Sequence, residues 1–283
     1  MGRINQDISE YAFSEKSTLA YELNVLVGAN SVYYMVNDAQ LNVLAIKSAH
    51  FDHKKETSIV ANLKETFFED RILKEPYQTT KIVFTTPHFT LVPAKFYNDD
   101  KRKTYFQNLT IASENSVFEC DSFKDIEFKN VYVVEKQLIE FTKTIFPEAK
   151  CYNVFTALIQ GYQKIAEQKG GHQLFANIRD NQIQIFFFDG KDLIFANGYR
   201  FVTPQDLIYF VMMVYEQFKL NPENIPLSIS GSLTEDSDIF RFIYRYIRFV
   251  NFVSAPSYFH FGQQFTGVPQ HFYFDLFSVK LCE

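Results

Sequence analysis

The order of the apolar runs constrains this chain more than any other feature, because the same order occurs twice. Residues 22–28 (ELNVLVG) form a short apolar run ending in glycine, Ala29-Asn30 makes a turn, and residues 31–37 (SVYYMVN) form a second run. A polar turn at 38–40 leads to residues 41–49 (LNVLAIKSA), which alternate with apolar β-branched side chains. Three strands joined by tight turns make an antiparallel meander. Residues 55–73 then carry helical periodicity, with Ile59, Leu63, Phe67 and Ile72 near one face. Residues 81–85 (KIVFT) are a compact strand of the buried type, stopped by Pro87.

The second half repeats strand, strand, strand, helix, strand. Residues 172–179 (HQLFANIR), 182–188 (QIQIFFF) and 192–199 predict the strands, with turns at Asp180-Asn181 and Asp189-Gly190. Thr203 suits a helix N-cap, Pro204 the first helical position and Asp206 the first turn, so a helix is expected from there until Asn221-Pro222 ends it. Residues 227–230 (LSIS) are the next strand, closed by Gly231. Residue identity between the stretches is weak, so the repeat is one of pattern.

This pattern predicts an α/β chain of two halves, 1–169 and 170–283, joined near Gly170-Gly171. An irregular insert is expected near 97–128, where the run 98–103 (NDDKRK) has the polarity of a solvated loop. Helices at 135–146 and 154–168, with a strand at 150–153 between them, complete the first half. Residues 259–274, rich in Phe and Gln, are expected to form a loop against the second half that leads to a last helix over 272–281. Were those aromatics exposed, they would offer a contact surface.

Composition narrows the function classes. With 47% hydrophobic residues the chain can build a sizeable core. The net charge of -5 is spread without a basic domain, which argues against nucleic-acid binding, since phosphate neutralisation needs clustered Lys and Arg. The three cysteines, Cys120, Cys151 and Cys282, are widely spaced and odd in number, which suits a reducing compartment. Residues 1–17 lack the apolar stretch of a signal peptide, and apolar runs such as 207–215 are too short to span a bilayer, so a cytoplasmic location without a membrane span is expected. The 32 Phe and 17 Tyr fall mostly at core-like spacing, and Phe is expected to do the work of Leu in the core.

Familiar catalytic motifs are missing: there is no GxSxG, Walker loop or GxGxxG. Ser230-Gly231-Ser232 follows a strand but lacks the preceding glycine of a nucleophile elbow. His50, Asp52 and His53 read as a polar strand end, since His53 points away from the other two. The acidic run 235–238 after Thr234 reads as helix capping. Arg241, Arg245 and Arg248 form a solvated stripe on a helix expected to begin near residue 235. No metal site is expected.

A strand-strand-strand-helix-strand unit occurring twice resembles the actin-like ATPase superfamily of sugar kinases, Hsp70 and actin, with its duplicated ribonuclease H-like halves. The chain is similar to an uncharacterised bacterial family in that superfamily, and more distantly to the actin-like component of type IV pilus machines. The resemblance covers residues 19–282. It implies a nucleotide held between the halves, with an Asp-x-Gly turn in each first hairpin around phosphate and metal, and a later strand ending in Gly-Gly near the adenosine. Glycine lets backbone N–H groups approach phosphate, and Asp positions magnesium or water. Here Leu26-Val27-Gly28 keeps only the glycine, beside the Ala29-Asn30 turn. Asn177-Ile178-Arg179 keeps neither residue, although Asp180 follows directly. Ser230-Gly231-Ser232 keeps one glycine of two. The cleft candidates are therefore Gly28, Asn30, Asn177, Arg179, Asp180 and Gly231. Arg179 is expected to end its strand in solvent; the alternative is pairing with a bound anion. The losses imply a non-catalytic scaffold or partner-binding protein without a cofactor and with a protein partner. The alternatives are an atypical ATPase or small-molecule kinase using ATP with magnesium, and a nucleotide or anion sensor.

Overall fold

The structure, a computed structural model, describes residues 7–51, 59–107 and 115–282. In chain order it runs β1 (Asp7–Ser9), β2 (Tyr21–Val27), β3 (Ser31–Asp38), β4 (Asn42–His50), α1 (Ile59–Glu69), α2 (Arg71–Lys74), β5 (Thr79–Phe84) and β6 (Phe89–Pro93). There follow β7 (Ser116–Ser122), β8 (Phe128–Glu135), α3 (Lys136–Ile145), β9 (Lys150–Asn153) and α4 (Val154–Lys169). The later elements are β10 (His172–Arg179), β11 (Gln182–Asp189), β12 (Asp192–Arg200), α5 (Pro204–Gln217), β13 (Leu227–Gly231) and α6 (Asp238–Ile243). The chain closes with β14 (Val250–Phe252), β15 (His260–Phe261) and α7 (Phe274–Ser278).

The chain divides into two compact units. Among the described residues the first comprises 7–51, 59–107, 115–156, 257–268 and Cys282; the second comprises 157–256 and 269–281. In the first unit the main sheet has the order β1-β4-β3-β2-β5-β9. Within it β2, β3 and β4 are antiparallel, while β5 and β9 run parallel to β2. Buried on both faces at their C-terminal ends, β2 closes on the apolar run Val25-Leu26-Val27 and β5 on Ile82-Val83-Phe84. The core under this sheet holds Leu23, Val25, Leu63, Phe67, Ile82 and Phe84.

Three local departures from expectation have physical causes. The helix expected over 55–73 is two helices, because Asp70 leaves the helical conformation and caps α2, accepting the Ile72 N–H at 2.8 Å. Residues 55–58 of that expectation lie outside the described residues. The segment 97–128 supplies β7, which pairs with β8 in a three-stranded sheet of order β6-β8-β7 over a small cluster of Val92, Phe106, Val131 and Val133. Residues 257–268 belong to the first unit rather than the second: β15 pairs with β4 at Asn42 and Val43.

The second unit has one five-stranded sheet, β12-β11-β10-β13-β14, with the first three strands antiparallel and the last two parallel to β10. This is the strand order of β4-β3-β2-β5-β9. Its helix α5 starts as the sequence predicts, with a reciprocal capping box between Thr203 and Asp206 and Pro204 in the first turn. Leu207, Val211 and Val214 of α5 pack on Leu174, Ile183 and Ile229 of the sheet. Phe is a core residue here: Phe175, Phe186, Phe188, Phe274 and Phe277 are fully buried, each contributing about 2 kcal/mol of transfer free energy.

The duplication extends to irregularities. Register between β3 and β4 jumps so that Leu44 is an extra residue, and register between β11 and β12 jumps so that Ile194 is extra. Each bulge falls at the third residue of a nine-residue strand.

Candidate functional site

The repeat places the predicted residues at matching points of the two sheets. In the first unit Val27 pairs with Val32, and Gly28 donates its N–H to the Ser31 carbonyl at 2.8 Å, leaving Ala29-Asn30 as the turn. In the second unit Ile178 pairs with Ile183 and Arg179 with Gln182, leaving Asp180-Asn181 as the turn. The strand after each helix confirms the match, because Thr85 donates its N–H to Val27 O at 3.0 Å and Ser232 donates its own to Ile178 O at 2.8 Å. Leu26 thus corresponds to Asn177, Val27 to Ile178 and Gly28 to Arg179.

The two tips differ chemically. Leu26 is fully buried and carries no polar side-chain atom. The Asn30 carbonyl accepts the Phe51 N–H at 2.8 Å. In the second unit both turn residues are left-handed, Asp180 at φ 50 and Asn181 at φ 59. Asp and Asn tolerate that region and favour such two-residue hairpins.

Arg179 does not end its strand in solvent; it is 3% exposed. Its guanidinium grips Asp275, with Nε donating to Oδ2 at 2.7 Å and Nη2 donating to Oδ1 at 3.0 Å. Nη2 also donates to the Phe272 carbonyl, and Nη1 donates to Ser232 Oγ at 3.2 Å. Asp275 is fully buried, so the pair is sustained by bidentate geometry and by these extra acceptors. The sequence hid this pairing, since Asp275 lies 96 residues away. One signal was available: Asp275 interrupts the aromatic run FYFDLF, and an acid in such a run needs a buried partner.

Asn177 is also built into the interior. It donates from Nδ2 to Gln184 Oε1 at 2.7 Å, and its Oδ1 accepts from Ser230 Oγ at 2.7 Å. With that hydroxyl proton committed, Tyr162 donates to Ser230 Oγ at 2.6 Å. Burial holds the Tyr162 phenol far above its ordinary range, which keeps this chain of bonds neutral. Ser230 is thus a buried link of a polar network. Gly231 sits at φ +92, and a Cβ there would lie 2.2 Å from the Ile178 carbonyl oxygen. The close approach of β13 to β10 therefore accounts for this glycine.

Other candidates lie apart from this cluster. His50 meets Tyr33 OH through Nε2 at 3.2 Å, while Asp52 and His53 lie outside the described residues. Among the described residues no group of three His, Cys, Asp or Glu side chains could hold a metal ion. Arg241 and Arg248 are exposed as expected, but α6 ends at Ile243. Burial pushes the Cys151 thiol up to about 11 and raises Cys120 and Cys282 as well, so none is a ready thiolate. No described helix is long and apolar enough to cross a membrane.

Residues 10–250 match the family of proteins of unknown function designated DUF3822. The chain belongs to this family. No curated protein matches it in sequence. Among solved structures, a Bacteroides thetaiotaomicron protein with an actin-like ATPase fold and unknown function superposes with a TM-score of 0.78 at 21% identity, over 85% of this chain and 93% of that one. The PilM-PilN type IV pilus biogenesis complex gives a TM-score of 0.62 at 10% identity, over 93% of this chain and 98% of that one. The ethanolamine utilization protein EutJ from Carboxydothermus hydrogenoformans gives 0.50 at 10% identity, over 93% and 90%. These likenesses establish the fold: the DUF3822 chain has the actin-like ATPase architecture.

Proposed function

We propose that the chain is a non-catalytic actin-like scaffold that binds a protein partner in the cytoplasm and needs no nucleotide. The observation that carries this reading is Arg179. Where the superfamily resemblance calls for bare glycine backbone against phosphate, this chain has a bulky side chain whose donors are taken up by Asp275, Phe272 and Ser232. Supporting it, Leu26 offers no oxygen to a cation and the Gly28 N–H is bonded to Ser31. A magnesium–phosphate group needs carboxylates and free backbone donors, so these residues do not fit it. Likeness to PilM, seen in complex with PilN, favours a protein as the partner. Widely spaced free cysteines favour a reducing compartment.

The test is thermal shift with ATP, with and without Mg²⁺, followed by a phosphate-release assay. The expected result is no shift at millimolar ATP and no turnover. Magnesium-dependent stabilisation with turnover would make the chain an ATPase or kinase, and stabilisation without turnover would make it a nucleotide sensor.

A further inference from the structure

Equivalent strands of the two units are treated differently at their outer edges. In the first unit β4 is covered: β1 pairs antiparallel with Ala45, Ile46 and Lys47, and β15 pairs parallel with Asn42 and Val43. The two additions fall on either side of the Leu44 bulge, so the bulge does not prevent pairing. In the second unit β12 ends the sheet, and among the described residues no strand pairs with its outer side. A nine-residue edge strand with unpaired backbone groups is a template for strand addition.

We propose that β12 is a self-association edge, on which β12 of a second copy of this chain adds in antiparallel fashion about a two-fold axis at Ala196. The residues that β1 occupies on β4 are positions four to six of that strand, and their counterparts on β12 are Phe195, Ala196 and Asn197. Ala196 is the middle residue of β12, so antiparallel pairing centred there matches the strand with itself. It brings Asp192 of each copy beside Arg200 of the other. Both are exposed, and neither has an ion-pair partner among the described residues. Opposite charges at the two ends of one strand are what a self-complementary antiparallel pair requires, and they disfavour the parallel alternative. Apolar surface flanks the same edge: Ile194 is 47% exposed and Val202 87% exposed. Gly198 donates its N–H to Asn197 Oδ1 at 2.8 Å, a local bond that the Asn197 side chain releases when the second strand pairs beyond the central three residues. The edge lies away from the Arg179 cluster in sequence, and the inference does not depend on the nucleotide question.

Sedimentation velocity on the full chain across a micromolar concentration series tests this. Wild type is expected to dimerise reversibly. Arg200→Asp and Asp192→Arg each turn two attractive contacts into repulsive ones and are expected to weaken the dimer about tenfold. The double variant Asp192→Arg/Arg200→Asp restores complementarity and is expected to regain wild-type affinity. Circular dichroism confirms that each variant is folded, and the two single variants check one another. A wild type monomeric at every concentration overturns the proposal and leaves the edge to a strand of another protein. A dimer unaffected by both single variants, or a double variant no tighter than the singles, overturns it equally.

Discussion

Gly28 and Arg179 occupy the same point of the same hairpin in two copies of one sheet, and they show how a duplicated fold can keep its backbone while changing its chemistry. In the first unit the tip is closed by backbone alone, through the Gly28 N–H to Ser31 O. In the second the tip carries a guanidinium that anchors α7 through Asp275 and the turn before it through the Phe272 carbonyl. The units also bury acids in opposite ways. Asp275 is matched by a cation. Asp121 of the first unit is held by neutral donors: the Asn153 N–H at 2.8 Å and Thr156 Oγ1 at 2.6 Å. Desolvation outweighs those bonds and raises its pKa to about 7.

Three measurements would break or sharpen this contrast. The largest effect is expected from Asp275→Ala, which leaves Arg179 charged and buried without its partner. It should lower stability by roughly 3–5 kcal/mol in urea unfolding. The double variant Arg179→Met/Asp275→Leu should recover most of that loss. If the single variant is neutral, the ion pair is not what joins α7 to the hairpin.

Asp121 should show the reverse dependence on charge. Its pKa rises from an ordinary 3.8 to about 7 on folding, so the folded state holds the proton more tightly. The stability linked to it is full below about pH 4, is lost as pH rises toward 7, and levels above that. Asp121→Asn keeps an acceptor for both donors and removes the titration. The variant should therefore gain on wild type between pH 4 and 7, by an amount on the order of 4 kcal/mol. Parallel pH profiles of the two proteins would reject an uncompensated acid.

Gly231→Ala should cost about 2–3 kcal/mol through the positive φ and the collision with Ile178 O. Its counterpart Phe84 pairs with Val27 as Gly231 pairs with Ile178, yet Phe84 is a buried core residue. The two sites should respond oppositely to size: Gly231 resists any Cβ, while Phe84→Ala loses its packing. Thermal unfolding of both variants checks whether one backbone position carries these opposite demands.

Much of the fold was legible. The three-strand meanders, the capped start of α5 and the strand closed by Gly231 each follow from period, turn residues or capping chemistry over a few neighbouring positions. The insert was harder to read, because β7 alternates weakly and its partner β8 lies beyond a polar loop. The site was legible only as positions. Leu26, Asn177, Arg179 and Gly231 could be placed on strands and turns, but Arg179 was read as exposed because its partner comes from the far end of the chain.

What the sequence determined by itself is the doubled element order and the absence of the full Asp-x-Gly pattern from both first hairpins, since periodicity and residue type are local properties. Tertiary structure alone decided that Arg179 is neutralised by Asp275, that Gly231 answers to the Ile178 carbonyl, and that β4 is covered while no strand among the described residues pairs with the outer side of β12. Each of these depends on which distant segment arrives at a given backbone edge, and that is set by packing of the whole unit rather than by any run of neighbouring residues.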